Sequence, residues 1–357
     1  MSRIPFLSIF CATTLSLANA SFAQGWFAQT SGVSNTLEGV SFTSRDSGFV
    51  VGSGGAMLRT TNGGATWTAQ LSGTTKTLHW VAFRNAEFGN VVGDHGVIRQ
   101  TIDGGTTWTA QTSGTINALY EIFYVSPNIG IAVGVGGKIL RTINAGATWT
   151  SQPSGTTQTL FGVFFSDSAT GTAVGGNGTI RRTTNAGSTW TGQSSGTSNI
   201  LFQVCFFGSD TGLAVGANGT IICTTNGGTT WTSQVSGTTQ SLFGEKFLTA
   251  NTGFVVGAGG TILRTTNGGM AWTSQASGSS AILYEVHFTD ANTGAAVGSG
   301  GTILRTTTGG VSEPQFSVSP TALNFADVLT GSNEQDSVTI TNSGTSTLTI
   351  TSVASDN

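Results

Sequence analysis

Seven tryptophans of this sequence recur at a constant interval of 41 residues, without one insertion or deletion. They are Trp26, Trp67, Trp108, Trp149, Trp190, Trp231 and Trp272. A fixed period of this length indicates one structural unit copied along the chain. Each interval holds four short apolar or β-branched segments separated by Gly-rich turns, as in 159–165, 171–178, 179–184 and 189–196. Four short strands per repeat predict the blade of a β-propeller.

The phase of the repeats predicts a closed ring of seven blades. The first strand of the unit occurs seven times, at Leu37–Phe42, Leu78–Phe83, Leu119–Tyr124, Leu160–Phe165, Leu201–Phe206, Leu242–Phe247 and Leu283–Phe288. The last unit lacks its tryptophan strand, whereas an extra one, 25–32, precedes the first unit. Pairing these two ends removes two free sheet edges. We therefore expect an all-β fold, a seven-bladed β-propeller closed by an N-terminal strand that completes the seventh blade.

Composition agrees with this fold and excludes several functions. Only 8% of the residues are charged, 53 are glycine, and the formal net charge is −3 without a Lys/Arg cluster. A nucleic-acid surface is therefore not expected. No transmembrane segment, cofactor motif or metal-ligand spacing occurs, and Cys205 and Cys223 fall on strands too far apart for a disulfide. Both are expected to be buried thiols.

The two ends of the chain differ from the repeats. Residues 1–23 have one Arg, an apolar run and then small residues, which is typical of a secretory signal peptide. The protein is thus expected to be exported, to the periplasm, the cell surface or the medium. Residues 24–310 form the predicted propeller. Residues 311–357 alternate apolar and polar positions and resemble the first half of an immunoglobulin-like β-sandwich of the abnormal-spindle and hydin type, too short for a whole domain.

The phrase RTTNGGATWT (59–68) returns in each complete repeat, and its chemistry predicts a turn and a packing wedge. An Asn or Asp side chain hydrogen-bonds the backbone two residues on, the glycines take positive φ, and the Trp fills the space between blades. The predicted turn and wedge residues are Asn62, Trp67, Asp103, Trp108, Asn144, Trp149, Asn185, Trp190, Asn226, Trp231, Asn267 and Trp272.

The same phrase carries a family resemblance. Residues 101–108, TIDGGTTW, match the Asp box of bacterial neuraminidase repeats, and the other copies match with Asn in place of Asp. With the surrounding GxxVGxxGxILRTTNGGxTW pattern, residues 25–310 resemble the photosystem II stability and assembly factor family. The resemblance implies a seven-bladed scaffold that binds protein partners, among them membrane-protein assembly intermediates, and that is not an enzyme.

Sialidases share the Asp box, but the residues of their active site are missing from the pattern. The one Arg-Ile-Pro, Arg3 to Pro5, lies in the predicted signal peptide, and the three tyrosines occupy strand positions of the repeat. The loops between blades are short and nearly identical, unlike the varied loops of enzymatic propellers. No catalytic residue is predicted. A carbohydrate-binding Asp-box propeller, with a glycan ligand, stays open as the alternative function.

One column of the repeat is basic. Five of its seven members are arginines, namely Arg59, Arg141, Arg182, Arg264 and Arg305; Gln100 and Cys223 occupy the other two places. These arginines are candidates for binding carboxylates or carbonyls of a partner chain, and the family resemblance favours this role. In the other interpretation each arginine ties its own blade to the next.

The innermost strands contain a second polar set. Its members are Glu38, His79, Trp80, Glu121, Gln203, Glu245, Lys246, Glu285 and His287. A Glu–His pair two residues apart shares a strand face and is able to transfer protons. Without a nucleophile beside the pair, we expect these residues to line the central channel and hold water.

Overall fold

The computed structural model describes residues 25–311, 316–319 and 339–342. One compact unit spans Gly25–Gly310. It consists of seven antiparallel sheets of four strands each; six sheets are made of four consecutive strands, and the seventh takes its outer strand from the N-terminal segment. The innermost strands of successive blades lie against one another, and the last contacts the first. The seven-bladed propeller predicted from the 41-residue period is confirmed.

The strand bounds repeat with the sequence. The innermost strands have the seven ranges predicted above. The second strands are Gly48–Gly52, Gly89–Gly93, Gly130–Gly134, Gly171–Gly175, Gly212–Gly216, Gly253–Gly257 and Gly294–Gly298. The third strands are Met57–Thr60, Ile98–Thr101, Lys138–Thr142, Ile180–Thr183, Ile221–Thr224, Ile262–Thr265 and Ile303–Thr306. The outer strands are Thr68–Ala69, Thr109–Gln111, Thr150–Gln152, Thr191–Gln193, Thr232–Gln234, Thr273–Gln275 and, for blade seven, Phe27–Gln29.

A single 3-10 turn joins the second and third strands of each blade. These turns are Ser53–Gly55, Asp94–Gly96, Val135–Gly137, Gly176–Gly178, Ala217–Gly219, Ala258–Gly260 and Ser299–Gly301. The glycine that precedes the turn is required by a close approach, because a Cβ on Gly52 would lie 2.0 Å from the carbonyl oxygen of Thr36. No helix of the described residues is long and apolar enough to cross a membrane.

The N-terminal segment closes the ring as predicted. Phe27 pairs with Arg305 and Gln29 with Ile303 in an antiparallel ladder on the third strand of blade seven. Trp26 is 2% exposed and packs edge-on against Phe288, with ring centroids 5.8 Å apart. Trp26 therefore fills the space between blades six and seven, as the tryptophan of each Asp-box phrase does for its own blade.

The hydrophobic core lies between blades rather than within them. In one cluster, Phe49 and Val51 of blade one pack against Leu78 and Val91 of blade two, with Trp108 among them. Each four-stranded sheet is apolar on both sides, so it is stable only when a neighbouring blade covers each face. A continuous ring satisfies this condition for every blade.

The two faces of the ring carry different loops. On one face, the loop after the innermost strand meets the Asp-box turn, as in the hydrogen bond from Gly63 N to Asp46 O at 2.8 Å. We call it the Asp-box face. The opposite face carries the 3-10 turns and the loops that lead into the next blade, joined for example by the Ser72 hydroxyl, which donates to Gly55 O at 2.7 Å.

The remaining predictions concern the chain ends and the cysteines. Phe316–Ser319 and Thr339–Asn342 form an antiparallel two-stranded sheet. The rest of the predicted immunoglobulin-like segment and the predicted signal peptide lie outside the described residues. Cys205 and Cys223 are free thiols on the first and third strands of blade five, Cys205 buried and Cys223 half-buried.

Candidate functional site

The Asp-box turn is held by a threonine and an Asn or Asp. In blade one, the Thr60 hydroxyl donates to Asn62 Oδ1 at 3.0 Å and accepts from Gly64 N at 2.8 Å. Asn62 Oδ1 also accepts from Thr66 N at 2.9 Å. The sequence predicted a bond two residues on from the Asn; the observed bond reaches four residues on, because the Thr60 hydroxyl serves the amides within the turn.

The same turn geometry recurs with Asp103 in blade two. The Asp103 carboxylate accepts from Thr107 N at 2.9 Å and from the Thr107 hydroxyl at 2.6 Å, and the Thr101 hydroxyl donates to it at 2.8 Å. These hydrogen bonds from Thr107 and Thr101 lower the pKa of Asp103 to about 2. The Asp103 carboxylate therefore stabilises its own turn.

The Asp-box tryptophans lie between blades. Trp67, Trp108, Trp149, Trp190 and Trp231 are buried and Trp272 is half-buried. Most of them meet a phenylalanine edge-on: Trp108 contacts Phe83 at 5.9 Å, and Trp190 contacts Phe165 at 6.1 Å. Edge-to-face contacts of this kind add to the stabilisation from burial.

The arginine column points toward the neighbouring blade. Arg141 Nε donates to the carbonyl of Ala186 in the next Asp-box turn at 2.8 Å. Gln100, in the same column, donates to Ala145 O at 2.7 Å. Around the ring, Arg305 lies against Gly63 of blade one. Arg141 thus ties two blades together, whereas the Nε atoms of Arg59, Arg182 and Arg264 are buried without a hydrogen-bond partner. All five arginines are half-buried and remain in part on the surface.

A central cavity of about 590 Å³ opens on the Asp-box face. Its rim includes Thr249 and Ala250, both exposed, in the loop after the innermost strand of blade six. Aromatic side chains form much of its wall: Phe83, Phe123, Tyr124, Phe164, Phe206, Phe207 and Phe247. A concave site with apolar walls and a few polar groups is the usual form of a binding site.

The polar groups of the cavity come from the set predicted to line the channel. Trp80, Glu121, Gln203, Glu245, Lys246, Glu285 and His287 all contribute to the lining. Glycines make room for three of them, since a Cβ on Gly39, Gly162 or Gly244 would collide with residue 80, 203 or 285 of the next blade. The third residue of the innermost strand is thus glycine in blades one, four and six and a large side chain in the other four.

Burial changes the acid–base properties of this cavity. It raises the pKa of the Glu121, Glu245 and Glu285 carboxyls, that of Glu245 to about 8. Glu121 accepts a hydrogen bond from Val163 N at 2.8 Å. Burial, with the charge of Lys246, lowers the pKa of His287 to about 3, so its imidazole is neutral at physiological pH.

Glu38 and His79, also predicted to line the channel, lie at its other end. There His79 Nδ1 is 2.6 Å from Glu38 Oε2, and its Nε2 is 3.0 Å from Asp94 Oδ1. Burial lowers the pKa of His79, but the hydrogen bonds and charges of Glu38 and Asp94 outweigh it, and the net shift is upward.

A collar of aromatic rings continues from His79 around that end of the channel. It consists of Tyr120, Phe161, Phe202, Phe243 and Tyr284, with neighbouring ring centroids 4.7 to 5.4 Å apart, His79 included. None of these residues lines the cavity. We infer that the collar separates the cavity from the opposite face.

Within the described residues, no group of three or more His, Cys, Asp or Glu side chains is placed to hold a metal ion. Fold and site together define a closed Asp-box propeller with one cavity on its axis, open toward the Asp-box face.

Comparison with known proteins identifies the family. The family model of photosynthesis system II assembly factor YCF48 matches residues 18–110 and 184–280, more than half of the chain. The chain therefore belongs to the YCF48 family of photosynthesis system II assembly factors. No curated protein sequence matches it significantly.

Solved structures agree on the fold. A YCF48 bound to a D1 peptide is 21% identical, with 81% of this chain and 100% of that chain covered, at a TM-score of 0.68. YCF48 from Cyanidioschyzon merolae is 20% identical, with 79% and 98% covered and a TM-score of 0.67. A GH74 xyloglucanase from Xanthomonas campestris is 12% identical, with 80% of this chain and 53% of that chain covered, at a TM-score of 0.63.

Proposed function

We propose that this protein is an exported, non-enzymatic scaffold that binds a partner polypeptide over the central cavity on its Asp-box face. The observation that carries the proposal is the cavity itself, whose aromatic walls and few polar groups suit the side chains of a protein partner. Aromatic residues are enriched at the centres of protein interfaces. Membership of the YCF48 family, one member of which has been solved with a bound peptide, supports the same function.

The chemistry of the cavity favours binding over catalysis. A glycosidase needs two carboxyls across an open cleft, one on each side of the bond that is cleaved. Here Glu121 is held by a backbone amide and all three carboxyls are buried among the strands. The likeness to a xyloglucanase extends to the fold alone at 12% identity.

Export is supported by the composition of residues 1–23. N-terminal sequencing of protein isolated from the periplasm or medium of the native host tests it. A mature chain beginning at Gln24, or at Ser21, is the expected result. A chain that retains Met1 to Arg3 contradicts export through a cleaved signal.

The arginine column is proposed as a secondary contact around the cavity. Arg141 uses only its Nε in the bond to Ala186, which leaves its two terminal nitrogens outside that bond. Replacement by glutamine is the matched test, because Gln100 fills the same column and bonds the equivalent carbonyl. The fivefold Arg→Gln variant should keep the ring intact and bind the partner more weakly, with a smaller dependence on salt.

Site-specific photo-crosslinking in the native envelope tests the binding face. A photoreactive phenylalanine replaces Thr249, which is exposed on the cavity rim, and in a control Val235, which is exposed on the opposite face. We expect a polypeptide adduct at residue 249 that residue 235 does not form. Equal labelling at both positions contradicts the proposal, and binding to a glycan array without a polypeptide adduct favours the carbohydrate alternative.

A further inference from the structure

One position of the innermost strand is aliphatic in six blades and acidic in the seventh. The fourth residue of this strand is Val40, Val81, Ile122, Val163, Val204, Glu245 and Val286 in blades one to seven. All seven are buried, and Glu245 is only 5% exposed. The repeat therefore shows which residue the core requires at this place, and blade six departs from it at a cost in stability.

Glu245 is only partly satisfied within the protein. The Cys205 thiol of blade five hydrogen-bonds its carboxyl, but its Oε2 is buried and has no hydrogen-bond partner. A buried oxygen without a partner is costly and uncommon. Glu245 belongs to the lining of the central cavity, so a ligand there lies beside a carboxyl that the protein leaves partly unsatisfied.

The surroundings of Glu245 favour a cation. The buried carboxyls of Glu121 and Glu285 lie within electrostatic range of Glu245, beside a single ammonium group, that of Lys246 on the same strand. His287 of blade seven is a neutral imidazole whose Nδ1 is also buried without a partner. The described residues hold no cluster able to bind a metal. A group with several N–H donors fits best.

We propose that the cavity receives the side chain of a lysine or arginine from the partner polypeptide, with the Glu245 carboxylate as its counter-charge. The inference rests on the proposed function, since the partner supplies the side chain. The rings of Phe164, Phe206 and Phe247 lie in the cavity wall. They offer apolar surface to the methylene stem of such a side chain and a ring face to its charged group. Charge-assisted hydrogen bonds to a buried carboxylate are among the strong ones.

Binding is expected to depend on pH. A cation requires the ionised carboxylate, whereas burial keeps the Glu245 carboxyl protonated up to a pKa of about 8. The affinity should therefore rise roughly tenfold per pH unit below that value and level off above it. The titratable groups within electrostatic range of Glu245 are Cys205, Glu285 and Glu121, with Lys246 on its own strand, and His287 lines the same cavity. Of these, His287 is neutral throughout this range.

A small probe tests the site on the purified protein. We expect n-butylguanidinium to bind more tightly at pH 8 than at pH 6, by one to two orders of magnitude, in calorimetry or saturation-transfer NMR. Butanol and butyrate, which lack the cation, should not bind. Glu245→Val restores the residue of the other blades and should abolish binding of the probe. Glu38→Gln, at a carboxyl outside the cavity lining at the other end of the channel, should keep it.

The outcomes separate this inference from the proposed function. If Glu245→Val binds the probe as the wild type does, or if the wild-type affinity is the same at pH 6 and pH 8, the inference is wrong. Capture of the partner at residue 249 by the Glu245→Val protein with undiminished affinity overturns the inference and leaves the scaffold standing. Absence of any adduct at residue 249 overturns the scaffold, whatever the probe does.

Discussion

Replacing Glu245 by valine should make the protein more stable, and the gain should grow with pH. Burial raises the pKa of this carboxyl from its ordinary value of 4.5 to about 8. The folded state therefore prefers the protonated form. Protonation of Glu245 makes its full contribution to the free energy of unfolding below pH 4.5, and this contribution is lost as the pH rises toward 8.

The magnitude follows from the size of the shift. Each pKa unit is worth about 1.4 kcal/mol, so the wild type should lose about 3 kcal/mol between pH 4.5 and pH 7 through this one group. Valine does not titrate and fits the other blades. We expect Glu245→Val to raise the melting temperature at pH 7 by roughly 5–10 °C.

The assay is thermal or urea unfolding of both proteins at pH 4.5, 6, 7 and 8. The difference in unfolding free energy should be small at pH 4.5 and increase by about 1.4 kcal/mol per unit above it. Cys205→Ser, which keeps the carboxyl, serves as a control and should retain the pH dependence. A constant difference over this range, or a less stable variant at pH 7, would refute the reasoning that burial of the carboxyl governs its energetics.

Four further predictions concern the ring. Ala186 lies in the left-handed region with φ 54°, at a position that is glycine in five of the seven blades, so Ala186→Gly should stabilise the protein by about 0.5–1 kcal/mol in urea unfolding, against a loss for Ala173→Gly within a strand. Trp26→Ala should cost roughly 3–5 kcal/mol, as much as Trp108→Ala, because both fill the space between blades; a Trp26 variant as stable as the wild type contradicts closure by the N-terminal segment. Thr183→Ala removes the hydroxyl that accepts from Asn185 N and Gly187 N and should cost about 1–3 kcal/mol, whereas the exposed Thr191 should tolerate alanine. The raised pKa of His79 stabilises the fold below pH 6.5 and this contribution fades as pH rises through the folded-state value, so His79→Gln should lose more stability at pH 5.5 than at pH 8.5.

The architecture was predictable because one period governs it. From Trp26 to Trp272 the 41-residue interval contains no insertion or deletion. A ring of nearly identical units leaves little choice of topology. The bounds of Leu37–Phe42 and its six copies follow from local alternation of apolar residues. The surplus strand at 25–32 and the missing one after Thr306 indicated closure without any long-range information.

The site was less predictable, because it depends on contacts between blades. The bond from Arg141 to Ala186 spans 45 residues, and no local pattern gives its direction. The polar residues of the channel were identified, yet the sequence did not separate Glu38 and His79 at one end from Glu245 at the other. The aromatic wall, with Phe164 and Phe207, was missed. Aligning the seven repeats column by column would have singled out Glu245.

Fluorine NMR offers the most direct test of the cavity as the binding site. The chain has 8 tryptophans, and only Trp80 lines the cavity, while the other seven lie at the 41-residue interval between blades. Protein labelled with 5-fluorotryptophan is mixed with the polypeptide recovered by crosslinking at residue 249, and the Trp80 signal is assigned from Trp80→Phe. We predict that the Trp80 resonance shifts on saturation while the other seven stay in place. A Trp80 signal that does not move when the partner is bound would contradict the account.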